Sequence, residues 1–586
     1  YVSSDSDWRF VGTTPLEERV PFGPKRWRFE KAGFETMLNG TPMAIIQVLD
    51  MPALQMTASD EVVPGMVPVP SSVMSVPYVG LPGATQVGRF QIARFEVTNR
   101  EYFEFVEAGG YDDANLWRDL DFVEDGRSLS FADAQARFRD QTDRVGPATW
   151  EFGRFPKGKD DYPVAGVSWY EAVAYARYRG GVLPTLYHWN LAAYDQFAFA
   201  TPLVAVMSSV ANIGGRPIQN VGASDSMGAF GTYDMVGNVR EWIWNKGATG
   251  RWMLGGSASQ PDYMAVSREE VPPFDRSPEN GIRLMIPTDN ISDNLLAPAA
   301  TTTHDYRDDK PVSDEAYRVL RQQFEYDPAA TATVADEEPV ESYRLQKVQL
   351  ELQHGEPFDV YIALPTSTEP PWPAVVYFPG GEFFISAEPD CMTRVRDSLV
   401  QSASSINPFK IPLEMGRAVV MPVWAGVCNR FDALPQTQQW IRAAIIAWRE
   451  DLGRTLDYLD SREDIKTGEY GYLGWSAGGA WPVPLLALED RLKTAILLSG
   501  GFYAFNLPEI ANPINYLSRS TLPVLMLTGR LDGIFPVETN QRILFDMLAT
   551  PVEHKKLVIF EAGHGPLPRV PLLRAVADWL DIYLPL

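Results

Sequence analysis

A chain of 586 residues is several times the usual domain length of about 100 to 200 residues, which predicts three or four domains and excludes a single core. With 45% hydrophobic and 12% aromatic residues, sixteen tryptophans among them, a disordered chain is excluded as well. The formal net charge of −24, from 51 Lys and Arg against 75 Asp and Glu, repels phosphate backbones and anionic headgroups, so nucleic acid is not an expected partner.

Two cysteines, Cys391 and Cys428, cannot build a disulfide framework or, by themselves, a zinc or iron–sulfur site, and they read as small buried hydrophobes. The most apolar stretch, residues 197–213, is interrupted by Pro202, Ser208, Ser209 and Asn212, so no membrane-spanning helix is expected. The chain opens at Tyr1 with neither an initiator methionine nor a basic-then-apolar leader, and it reads as a processed protein or an excised part of a longer one.

Residues 1–62 alternate apolar and polar in short runs, as in Trp8-Arg9-Phe10-Val11 and Arg26-Trp27-Arg28-Phe29, separated by the turn Gly12-Thr13-Thr14-Pro15. That pattern predicts a small β domain. Together with Pro21-Phe22-Gly23 and Lys31-Ala32-Gly33-Phe34-Glu35, it resembles the PEGA domain, which implies a spacer or binding role and no chemistry.

Residues 63–287 are rich in glycine and aromatic residues. Thr98 or Asn99 is placed to cap an amphipathic helix carrying Tyr102, Phe103 and Phe105. Ser168 precedes a second helix with Glu171 three residues on, the spacing of a capping box. These phrases, with Leu183-Pro184-Thr185, Tyr233-Asp234-Met235-Val236-Gly237-Asn238-Val239-Arg240-Glu241-Trp242 and Gly255-Gly256-Ser257, resemble the formylglycine-generating enzyme (sulfatase-modifying factor) family in the family's order. The resemblance implies an irregular α+β, C-type-lectin-like fold. It also sets a chemical test, because members that oxidise sulfatase cysteines hold copper with a cysteine pair just after the Gly-Gly-Ser phrase. Here that stretch continues Ala258-Ser259-Gln260-Pro261-Asp262-Tyr263, and His188 is the only histidine between 63 and 287. Copper needs thiolates and non-haem iron needs several imidazoles, so neither activity is expected of this domain. The resemblance further implies a structural calcium ion held by Asp234, Gly237, Val239 and Glu241. Two carboxylates and two carbonyl oxygens suit a hard cation; the alternative is that Asp234 and Glu241 are ordinary turn and surface acids.

Residues 288–340 are polar, small and acidic around a helix-like stretch at 312–324, and read as a linker with one helix. From 341 to 586, strand-like runs at 374–378, 418–422, 469–474, 495–499, 523–528 and 556–560 alternate with helical stretches such as 439–462. Alternation of this kind predicts an α/β domain with a mostly parallel, doubly wound sheet.

Within it, Tyr470-Gly471-Tyr472-Leu473 runs into Gly474-Trp475-Ser476-Ala477-Gly478-Gly479, which predicts a strand, a tight turn presenting Ser476, and a helix: the nucleophile elbow. A buried strand ends in Asp532, and a later one is followed by His564. In that order Ser476 is the candidate nucleophile, His564 the base and Asp532 the acid that orients it. Val375-Val376-Tyr377-Phe378-Pro379-Gly380-Gly381-Glu382 ends a strand in a Gly-Gly loop, where the amide of Gly381 or Glu382, with that of Ala477, would bind the oxyanion. These four parts resemble the α/β-hydrolase family, dienelactone-hydrolase-like and acyl-peptidase-like esterases in particular. Phe378-Pro379 stands where many relatives have a histidine, which leaves the oxyanion donors open. Aromatic residues at Phe383, Phe384, Trp424, Phe502 and Tyr503 suggest an apolar pocket for an aryl or alkyl ester.

The expected function is therefore a serine esterase acting through an acyl-enzyme on a small or polymeric ester, with no catalytic cofactor. The first two domains would serve as scaffold or binding modules. The three-domain order resembles the region outside the membrane in certain bacterial serine/threonine kinase fusions, which implies an extracytoplasmic location. It keeps two alternatives open: a sensor ectodomain, or a peptidase of the acyl-peptidase type.

Overall fold

The computed structural model places the chain in two units, Tyr1–Thr301 and Thr302–Leu586. It describes residues 8–18, 25–41, 55–74, 85–194, 210–266, 268–299, 304–340, 343–352, 357–381, 410–427, 430, 438–502, 507–565 and 567–586. Among them no helix is long and apolar enough to cross a membrane. Cys391, Cys428, Glu382, Phe383, Phe384 and Tyr503 lie outside the described residues.

In the first unit, Lys25–Phe29 pairs antiparallel with Met37–Thr41. The segment that holds this hairpin is tied to the rest of the unit. Val63 N donates to Gln91 Oε1 at 2.9 Å and Gln91 Nε2 to Glu61 O at 2.8 Å, and the absence of a side chain at Gly231 leaves room for Leu38, which lies 3.0 Å from where a Cβ would stand. Of the two alternating runs, Arg26-Trp27-Arg28-Phe29 lies in a strand while Trp8-Arg9-Phe10-Val11 forms none, and such runs do not distinguish a free module from a hairpin packed on its neighbour. Further along the chain, Phe90–Ala93 lies between Met66–Val69 and Met285–Pro287, and Arg240–Lys246 lies between Arg251–Leu254 and Asn280–Gly281. Much of the remaining backbone is irregular and is held by aromatic side chains, with Trp150, Trp169, Trp189 and Trp242 fully buried.

Both expected helix starts are present. Thr98 caps the helix Asn99–Glu107 and Ser168 caps Trp169–Tyr178, each in a reciprocal box with the glutamate three residues on. The segment after 287 is not a free connection: Leu295 and Ala299 are buried in the core of the first unit, and Asn245 Nδ2 donates to Leu295 O and Ala297 O, both at 2.8 Å.

The second unit opens with Tyr306, buried and stacked on Phe502 at 4.1 Å, and α1 (Asp314–Gln322). Among the described residues its sheet has nine strands: β1 (Ala329–Val340), β2 (Tyr343–Leu352), β3 (Phe358–Pro365), β4 (Trp372–Phe378), β5 (Ala418–Pro422), β6 (Ile465–Trp475), β7 (Leu492–Leu498), β8 (Val524–Gly529) and β9 (Lys555–Phe560). They lie in the order β1-β2-β3-β5-β4-β6-β7-β8-β9. The strands from β5 to β9 run parallel, while β1, β2, β3 and β5 pair antiparallel. The sheet is thus mixed. The linker expected at 288–340 is accordingly divided between the two units, and its acidic end is a strand. β1 lies at the sheet edge, so residues such as Asp336 and Glu337 remain exposed, and charge on an edge discourages further pairing. Helix α2 (Gln438–Asp460) packs against β5 and β6, and α3 (Arg569–Tyr583) against β7 and β8.

Ser168 tests the first unit. Its buried hydroxyl accepts from Glu171 N at 3.2 Å while Glu171 accepts from Ser168 N at 2.8 Å. Ser168→Ala is expected to lower the unfolding free energy of this unit by about 1 kcal/mol, the usual cost of a lost cap, measured by denaturant titration of the full chain.

Candidate active site

β6 carries apolar residues into the middle of the sheet and ends at Trp475, and the chain then reverses at Ser476 with φ +51°. A non-glycine residue in the left-handed region is strained by roughly 1–2 kcal/mol, and the surroundings show how it is held there. A Cβ on Gly474 would overlap Gly478 O, one on Gly478 would overlap Phe378 O, and one on Gly500 would overlap Gly479 O. Tyr472 Oη donates to Gly478 O at 2.6 Å from a buried position. The turn is followed not by the expected α-helix but by 3₁₀ turns at Ser476–Gly479 and Val483–Ala487. Gly478 and Gly479 are poor helix formers, and Pro482 and Pro484 have no N–H to donate to an α-helical ladder.

The three residues expected to act together do meet. His564 Nε2 lies 2.8 Å from Ser476 Oγ, and His564 Nδ1 lies 3.0 Å from Asp532 Oδ2. Asp532 is buried at the end of β8. Its Oδ1 accepts from Ile534 N at 2.9 Å and Phe535 N at 2.8 Å, and its Oδ2 accepts from Gln541 Nε2 at 3.0 Å. The rings of Trp475 and Phe535 lie 6.2 and 5.9 Å from the imidazole. Of the oxyanion candidates, Ala477 is buried beside the serine, and a Cβ built on Gly381 would stand 3.9 Å from Ala477 Cβ, so the Gly-Gly loop does reach the elbow. Glu382 falls outside the described residues. Gln541, Tyr472 and Gly500 were not singled out by the sequence; the pair Gly500-Gly501 immediately after β7 is the one signal that could have drawn attention to the close approach.

In the first unit, Asp234, Val239 and Glu241 are buried in one region with Glu96. Glu241 is bound by Arg283, with Nη2 to Oε1 at 2.7 Å and Nε to Oε2 at 3.0 Å, and by Trp189 Nε1 at 2.7 Å. Asp234 accepts from Ser224 Oγ and, at 2.5 Å, from Gly222 N. Glu96 accepts from Asn238 Nδ2 at 3.0 Å and Val239 N at 3.2 Å, and burial, followed by the nearby Asp234, pushes its carboxyl well above the usual range. Among the described residues no group of three or more His, Cys, Asp or Glu side chains is placed to hold a metal ion. Of the four positions expected to hold calcium, the carboxylates of Asp234 and Glu241 already accept from protein donors, and the positive charge beside Glu241 is Arg283, so these two carboxylates do not fit an ion as they stand.

His188, the lone imidazole, is buried with Nδ1 2.6 Å from Thr185 Oγ1 and its ring edge-on to Phe90. The stretch after Gly255-Gly256 makes contacts of its own, Ser257 N donating to Gln260 Oε1 at 3.0 Å and Gln260 Nε2 to Glu269 Oε2 at 2.9 Å.

The second unit is thus a mixed, largely parallel sheet bearing a serine, an imidazole and a carboxylate in hydrogen-bonded sequence. Residues 61–287 match the family model described as sulfatase-modifying factor enzyme 1-like domain. The chain is similar to the hercynine oxygenase of Mycolicibacterium smegmatis, 31% identical over 169 residues that cover 26% of this chain and 36% of that protein. The formylglycine-generating enzyme of Bos taurus is 29% identical over 217 residues, 30% of this chain and 56% of that protein. The inactive C-alpha-formylglycine-generating enzyme 2 of Bos taurus is 29% identical over 184 residues, 26% and 58%. The chain spans about a third of the length of the hercynine oxygenases it matches. Among solved structures, acetyl xylan esterase 1 from Thermoanaerobacterium sp. JW/SL YS485 aligns with TM-score 0.36 and 16% identity over 48% of this chain and 96% of that one. A cold-adapted esterase from an Arctic intertidal metagenomic library aligns with TM-score 0.30 and 19% identity over 43% and 99%.

The first unit can be tested at its buried acids and at its lone imidazole. Chelation with EDTA is expected to leave its melting temperature unchanged; a fall restored by calcium would show that an ion competes successfully with the protein donors. Burial lowers the His188 imidazole from its ordinary 6.5 to about 4, so the unfolded state binds one more proton than the folded state between these values. Stability is then lost as pH falls through that window. His188→Gln should flatten the slope of stability against pH between 6.5 and 4; an unchanged slope would remove His188 as its source.

Proposed function

We propose that the second unit is an α/β-hydrolase that cleaves carboxylic esters through an acyl-enzyme, and that the first unit serves as a scaffold or binding module. The observation that carries this reading is the continuous chain from Ser476 Oγ through His564 to buried Asp532, at 2.8 and 3.0 Å. In the proposed reaction Ser476 Oγ attacks the ester carbonyl carbon as its proton passes to His564 Nε2. The tetrahedral oxyanion is bound by the amide of Ala477 and by that of Gly381 or Glu382. Collapse breaks the C–O bond to the alcohol, which leaves with the proton held by His564. A water then gives its proton to His564 and attacks the acyl carbon, and Ser476 recovers its proton as the acid departs. Asp532 keeps Nδ1 protonated and stabilises the imidazolium without taking the proton itself. No step needs a cofactor. The rings of Trp475 and Phe535 beside His564 support an aryl or alkyl ester over a charged peptide.

Ser476→Ala is expected to lower kcat on a chromogenic ester such as 4-nitrophenyl acetate by on the order of 10⁶, since the triad acts as a unit. The fold should be preserved by circular dichroism. A folded variant that keeps more than about 1% of the parental rate would remove Ser476 as the nucleophile, and a parent with no turnover on any ester would favour a binding or sensing role.

A further inference from the structure

We infer that Gln541 is the positioning residue of this site, acting on the reaction through Asp532; the inference rests on the ester-hydrolase reading above. A carboxylate buried at 3% exposure must have its lone pairs satisfied, and the way they are satisfied decides which way it faces. Asp532 Oδ1 is met by two consecutive backbone amides, Ile534 N and Phe535 N. These hold one oxygen, which also lies 3.1 Å from His564 Nδ1, and leave the second oxygen to be held by donors of its own. The second oxygen, Oδ2, is shared by His564 Nδ1 at 3.0 Å and Gln541 Nε2 at 3.0 Å. Gln541 itself is 1% exposed, and its Nε2 also donates to Phe535 O at 2.7 Å. Both donor hydrogens of the amide are therefore committed, one to the carboxylate and one to the loop whose amides hold the other oxygen. The side chain closes a ring from Asp532 through the 534–535 loop and back to Asp532.

The backbone supports the same assignment. Residues Val537–Gln541 form a single π turn at the head of the helix Arg542–Met547, a rare geometry that costs helix regularity and concentrates at functional sites. Its last two residues both face inward. Asn540 Oδ1 accepts from Phe502 N at 2.7 Å and Nδ2 donates to Phe502 O at 3.0 Å, which anchors the turn to the loop after β7, the strand next to the elbow strand. The turn is thus fixed at Asn540 and aimed at Asp532 by Gln541.

Loss of this donor leaves Oδ2 with His564 Nδ1 as its remaining named partner and loosens the carboxylate plane against the imidazole, so the ring is less often in the tautomer and orientation that receives the Ser476 proton. Substrate binding is untouched, because Gln541 contacts the carboxylate and the loop and not the serine. The test is steady-state kinetics of the full chain on 4-nitrophenyl acetate, with the rate of labelling of Ser476 by a fluorophosphonate as a second measure of its nucleophilicity. In Gln541→Leu, kcat and the labelling rate are expected to fall together by about 10- to 100-fold, the scale of a supporting residue around a catalytic group, with KM within twofold of the parent as order of magnitude. Gln541→Glu has the same shape but replaces the donor by an acceptor facing another carboxylate, and is expected to fall at least as far while its far-UV circular dichroism stays parental. Parental kcat and labelling in a folded Gln541→Glu protein would overturn the inference, and this variant decides the question if Gln541→Leu does not fold. A parent that is neither turned over nor labelled at Ser476 would bring down the ester-hydrolase reading itself, a result distinct from any behaviour of the Gln541 variants.

Discussion

The site depends on one close approach of backbone to backbone. Ser476 can stand at φ +51° only because Gly474 and Gly478 let the strand and the turn touch, Gly478 lets the turn touch Phe378 O, and Gly500 lets the loop after β7 touch Gly479. Three parallel strands, β4, β6 and β7, thereby meet around one hydroxyl. Strain of this kind persists where the surroundings over-determine it, and here the restraint is mostly the absence of side chains plus one buried hydrogen bond from Tyr472. A methyl at any of these glycines would have to displace backbone, which has no softer direction in which to move.

The first unit is built on a different constraint, charge without water. Arg283 and Glu241 are essentially unexposed, and removing one partner of such a pair typically costs about 3–5 kcal/mol because the other charge is left alone. Asp234 and Glu96 add carboxyl groups to the same region, each satisfied by hydroxyl, amide or backbone donors. A ligand set carried over by sequence similarity specifies oxygens but not what else reaches them; a single arginine from a neighbouring strand end changes the electrostatics of the whole group.

Strands β4 to β8 and helix α2 were legible because buried parallel strands are short aliphatic runs bounded by glycine and proline, and α2 is long; β9, expected to be buried, is an edge strand with Phe560 alone buried. Ser476, Asp532 and His564 were legible because each ends or follows such a run and their order is constrained by the fold. The features that were not legible have equally definite causes. β1 is polar because it is an edge, so its composition resembles that of a linker. The residues after Ser476 follow a spacing that predicts an α-helix, yet Pro482 and Pro484 remove the donors such a helix needs. Arg283 and Gln541 are single polar residues whose partners lie 42 and 9 positions away, and no local pattern announces a contact that only the tertiary fold creates. For Gln541 the cause is sharper still, since its aim depends on a π turn and a helix with the ordinary period would point it elsewhere.

The contrast between the units arises from their side-chain chemistry. In the second unit one hydroxyl, one imidazole and one carboxylate form a path along which a proton can move. In the stretch of the first unit that follows Gly255-Gly256, the groups present are the hydroxyls of Ser257 and Ser259 and the amide of Gln260, tied to Glu279 and Glu269. Hydroxyls and amides offer no accessible electron chemistry at neutral pH. The same scaffold can be kept for packing reasons alone: Gly255 and Gly256, at φ +91° and +68°, stand against the backbone of Met235 and Met264. The Gly255-Gly256-Ser257 phrase therefore marks a turn the fold requires, and a turn constrains the backbone without fixing the reactive atoms mounted on it.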